Sequence, residues 1–123
     1  MLAVSAVVLS ACAPALPVQA AQLNVAASPQ TLPIRVVQEA ATVRLSSGYE
    51  HTIAAQSRWR VSGALPQGQV LRPVGTVFTI EGRQVHEAYL VVAKGSLVGF
   101  YLPGEAHFSP LDKPVPVMLG DLE

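Results

Sequence analysis

One cysteine in 123 residues rules out an intramolecular disulfide, so any core this chain builds must be held by packing alone. Charge is equally scarce: 8 basic and 8 acidic side chains cancel, and together they make up 13% of the residues. No broad field is left to recruit nucleic acid or an anionic bilayer. Long uninterrupted elements are missing too, because ten prolines and nine glycines are spread along the chain without a period. That excludes long helices and points to short elements broken by turns. The length admits one small domain, and roughly 85 to 90 folded residues make a marginally stable one.

Half of the residues are hydrophobic, and the first apolar run is Leu2 to Ala11. It has the length of a signal-peptide hydrophobic region and about half that of a membrane-spanning helix, so it reads as an export signal. No Lys or Arg stands between Met1 and that run, where a signal peptide usually carries positive charge. Two cleavage patterns follow. Val18-Gln19-Ala20 has the small-residue spacing of ordinary signal peptidase, which would cut before Ala21 and discard Cys12. Leu9-Ser10-Ala11-Cys12 resembles the lipobox of bacterial lipoproteins, with a large apolar residue at −3, small ones at −2 and −1, and the thiol that becomes the lipid-bearing thioether.

All four lipobox positions fit, and the apolar run stops at the cysteine. The resemblance therefore implies a signal peptide over 1–11 and a lipidated N-terminus at Cys12. Acyl chains at about 0.8 kcal/mol per buried CH₂ would hold such a protein on a membrane. Ala13 stands where an inner-membrane lipoprotein typically has Asp, so the resemblance implies the outer membrane and its periplasmic face. The stretch up to Pro33 is rich in Ala and Pro and has no charge. With no sustained period of 3.6 or 2, it is expected to be a disordered, extended tether over 12–33.

From residue 34 to 123 the pattern changes to short β-branched and aromatic runs between turn signals. "PIRVV", "ATVRLS" and "GYEHTIAA" are candidate strands, the second alternating Val43 and Leu45 with Thr42 and Arg44. "SRWRVSG" sets Arg58 and Arg60 on one side of a strand and Trp59 and Val61 on the other. Trp59 is the expected core anchor. "ALPQGQV" reads as a turn with Pro second and Gly at positive φ, giving a hairpin from about Arg58 to Arg72. "TVFTI", "VHEAYLVV" and "LVGFYL" read as a three-strand meander turning at Gly82 and Gly95. Its last two strands are apolar on both faces, which fits burial from two sides or one side kept for a partner. "PLDKPVPVML" adds a final edge strand, since its prolines cannot donate to a ladder. The expected fold is all-β, a small antiparallel barrel or sandwich. The spacing in "RWRVSG" resembles bacterial SH3-like modules over some fifteen residues.

Chemistry-bearing patterns are few. His51, His86 and His107 are the only histidines, and none has a second one at ligand spacing. His86-Glu87 lacks the further histidine of a zinc helix, since Leu90 occupies that position. Glu50-His51 and Glu105-Ala106-His107 could meet it only across the fold. Ser96 in "KGSLVG" lacks nucleophile-elbow flanks, and the isolated glycines form no phosphate loop. No catalytic set, metal site or cofactor is assigned. Arg58, Arg60 and Arg72 are the possible binding face, suited to an anionic envelope polymer or an acidic protein patch. The expected protein is a non-enzymatic outer-membrane lipoprotein, an accessory or binding module for an envelope protein or peptidoglycan. The alternatives are a soluble periplasmic or secreted β protein cut before Ala21, a metal-binding protein or a small hydrolase.

Overall fold

The computed structural model describes residues 15–25 and 32–121, and every regular element among them is a β-strand. The two shortest, β1 (Gln19–Ala20) and β2 (Asn24–Val25), precede β3 (Ile34–Val37). Next come the hairpin of β4 (Ala41–Arg44) with β5 (Glu50–Ile53) and the long hairpin of β6 (Arg58–Leu65) with β7 (Gly68–Pro73). A small hairpin of β8 (Thr79–Glu81) and β9 (Val85–Glu87) leads into β10 (Tyr89–Ala93) and β11 (Ser96–Leu102). The chain finishes with β12 (His107–Pro116) and β13 (Leu119–Asp121).

The main sheet is antiparallel throughout, in the order β1-β12-β11-β10-β7-β6-β3-β13, with β2 on the free part of β6. β13 at one end and β12, which lies beside β1 at the other, belong to one stretch of chain. Residues 107–116 pair with β11, the Val117 N–H donates to the Gly95 carbonyl, and β13 then pairs with β3. The sheet thus curls until its last strand returns to β3, which removes most of its open edge.

Alternation along the strands then decides which side chains go where. Leu71, Leu90, Phe100 and Leu102 point into the curl and join Trp59, Val37, Ile53 and Ile80 in the larger core. Their neighbours Val70, Val91 and Tyr101 point the other way and form a second core with Leu65 and Phe108. Burial on both faces, expected from "YLVV" and "VGFYL", is therefore what the fold contains. The cover on the second face includes Ala21 and Leu23, from the stretch expected to be a tether.

That stretch is docked over much of its length. Gln19 and Ala20 pair with Phe108 and His107, Asn24 and Val25 pair with Ala64 and Gly63, and Leu16 is 7% exposed within the larger core. Residues 15–25 act as a strap. It occupies the edge of β12 at one end and the half of β6 that β3 leaves free at the other. Gly63 makes the second contact possible, because a Cβ there would fall on the Asn24 carbonyl oxygen. The ordered unit thus begins well before residue 34. Cys12 and residues 26–31 lie outside the described residues.

Three local expectations are revised. The meander breaks at Ala88, which is fully buried and donates its N–H to the Phe78 carbonyl. β9 therefore pairs only with β8, while β10 pairs with β7 and β11. Gly68 sits fourth in its turn without a positive φ, and it is needed because a Cβ would meet the Val92 carbonyl oxygen at 2.5 Å. The last strand is not a plain edge. Its pairing with β11 skips from Pro110 to Val115, so the proline-containing segment bows out of the ladder.

Replacing Phe108, 4% exposed, with Ala is expected to cost about 3 kcal/mol in urea unfolding, as much as Phe100→Ala and within one cooperative transition. A loss below about 1 kcal/mol would mean that the second face is not sealed.

Candidate functional site

The strap crosses the barrel beside two turns, and a cavity of about 290 Å³ opens there. Leu16 reaches it over Gly82, where a Cβ would lie 2.7 Å from the Leu16 Cγ. Ala15, Leu16 and Val18 line one side and Leu102 contributes from β11. The polar groups come from the β8–β9 hairpin and the turn before β12: Arg83, Gln84, His86, Glu105 and His107. That turn is held by Ala106 at φ 54° and by the Ala21 N–H donating to the Ala106 carbonyl.

His86 Nδ1 lies 2.8 Å from Glu105 Oε1, with the imidazole side chain 17% exposed. The pair fastens the small hairpin to the β11–β12 turn. Of the two motifs that could meet His86 across the fold, the Glu105-Ala106-His107 one does so. The Glu50-His51 one does not: the His51 ring packs against Phe78 at 4.3 Å, in the larger core. Among the described residues no three His, Cys, Asp or Glu side chains gather as metal ligands.

The hairpin register sets Arg60 opposite Arg72 and leaves Arg58 two positions along the same strand face. Like charges facing each other across a ladder repel, and each of these two has an outlet. Arg60 donates to the Leu32 carbonyl at 3.0 Å, and Arg72 lies beside Tyr89 and near Glu87. The three arginines are gathered on one face, with Arg58 and Arg72 exposed and Arg60 half-buried. Tyr89 and Tyr101, register partners with rings 6.3 Å apart, carry that face over to the second core. Burial raises the Tyr89 pKa above its ordinary 10.0, the Glu87 carboxylate raises it further, and Arg72 opposes both.

Neither the strap nor its cavity was legible from composition. The nearest signal was Leu16 and Val18 standing two apart amid Ala and Pro, too short to count as a period. Compared with known proteins, the chain matches no protein family, no curated protein and no solved structure. What the fold defines by itself is an all-β, antiparallel domain with two cores.

The Tyr89 environment has a readable sign. Ultraviolet titration near 295 nm is expected to show one tyrosine ionising late, moved lower by Glu87→Gln and higher by Arg72→Gln. A phenol whose folded pKa is raised adds stability that is complete below pH 10 and is lost as pH rises through the folded value. A Tyr89 ionisation that neither variant moves would contradict this placement.

Proposed function

We propose that this protein is an outer-membrane lipoprotein anchored through Cys12, and that its β domain is a non-enzymatic binding module for an envelope partner. The observation that supports the anchor is the way residues 15–20 are built into the fold. A cut before Ala21 would remove the buried Leu16 and the whole of β1. It would also leave Ser109, 2% exposed, without the Pro17 carbonyl to which its hydroxyl donates at 2.8 Å. A core side chain and a buried hydrogen bond together represent a loss of several kcal/mol, a large share of what a small domain has. Processing at Cys12 keeps all of these contacts.

The same packing shortens the tether. Ala15 is three positions from Cys12, roughly 10 Å at full extension. The domain then rests near the bilayer, and its partner comes to the membrane surface. Arg58, Arg60 and Arg72 remain the face offered to an acidic protein patch or an anionic polymer such as peptidoglycan.

Mass spectrometry of the N-terminal peptide, from the full chain expressed in a Gram-negative host, tests the anchor. The expected species is a triacylated peptide beginning at Cys12, absent after Cys12→Ser. A free N-terminus at Ala21 would overturn the proposal, and the isolated chain from Ala21 should in any case unfold at markedly lower urea.

A further inference from the structure

The cavity beneath the strap has a chemical character that an anchored binding module does not by itself explain. Its apolar wall is Leu16, Val18 and Leu102, and Val18 stays 44% exposed at the edge. Its one carboxylate, Glu105, is engaged with the His86 ring at 2.8 Å. Arg83 is exposed at the same cavity and makes no ion pair among the described residues. A pocket with an apolar wall, a guanidinium outside any ion pair and its carboxylate already engaged suits a molecule that is apolar along its length and negative at one end.

We infer that this cavity binds a single-chain anionic amphiphile, with its alkyl chain against Leu16, Val18 and Leu102 and its head group at Arg83. Size supports one chain rather than two, since 290 Å³ lies at the small end of ligand pockets, which run from about 300 to 1,000 Å³. Gln84 and His107 complete the lining, and the His86–Glu105 contact fastens together the two turns that form it. The assignment does not require Cys12 to be acylated, so its failure and the failure of the anchor proposal can be told apart.

The probe is decanoate, kept below its micelle threshold, added to the full chain carrying Cys12→Ser so that no attached lipid competes. Imidazole NMR signals of His86 and His107 are expected to shift saturably while those of His51 stay in place, which also reports an intact core. Arg83→Glu is expected to weaken binding roughly tenfold, the size of a lost charge-assisted contact. Val18→Trp, placed at an exposed position, should fill the opening and abolish the shifts. Decyltrimethylammonium should not reproduce them. Absence of saturation, equal binding of the cationic amphiphile, or an unchanged affinity in Arg83→Glu would each overturn the inference.

Discussion

Everything in this fold depends on a set of strands that are apolar on both faces. β7, β10 and β11 turn Leu71, Leu90 and Phe100 one way and Val70, Val91 and Tyr101 the other, and all but the last are fully buried. Such strands need two covers, because leaving either face in water would forfeit much of the burial that opposes chain entropy. The first cover is the curl of the sheet itself, completed when the chain from His107 to Asp121 leaves β11 and reaches β3. The second is the strap. With no disulfide available, these two closures carry the cohesion of the domain.

The two covers are not independent. Phe108 pairs with Tyr101 on one side and Gln19 on the other, so a single position belongs to barrel closure and strap docking together. Leu16 shows the same economy from the other end, packing in the larger core while lining the cavity that the strap creates. The candidate site is therefore a consequence of how the second face was sealed. A change that loosens the strap must alter the cavity, because Ala15, Leu16 and Val18 line it.

What could be read from the residues was what depends on short range. The hairpin from Arg58, the inward Trp59, and the Val43/Leu45 alternation follow from a period of two and a turn dipeptide, and the structure has them. The placement of Arg58, Arg60 and Arg72 on one face follows from that same hairpin register. The break at Ala88 was not legible, since it rests on a change of partner: the Ala88 N–H still continues the β8–β9 ladder to Phe78, while β10 turns to β7 and β11. His86 and Glu105, nineteen residues apart, meet only because the turn before β12 brings them together. The strap is the extreme case: each of its pairings lasts two residues, and its Ala, Pro and Gln content is that of a linker. Edge complementarity, with Gly63 clearing a space for Asn24, takes the place of intrinsic propensity there.

An anchor joined to such a strap has a mechanical meaning that a flexible tether lacks. In an ordinary tethered domain, displacement of the lipid is absorbed by slack chain and the fold does not register it. Under the lipoprotein reading only Ala13 and Pro14 separate the lipidated residue from the packed segment. Tension on the lipid then falls first on Leu16, the Pro17–Ser109 hydrogen bond and the two pairs of β1. Peeling these away would free the edge of β12 at His107 and Phe108 before the barrel itself is disturbed, because β12 keeps its pairing with β11. Attachment to the membrane and packing of the larger core through Leu16 would thus be coupled by the same six residues, 15–20, with the strap as the element that yields first.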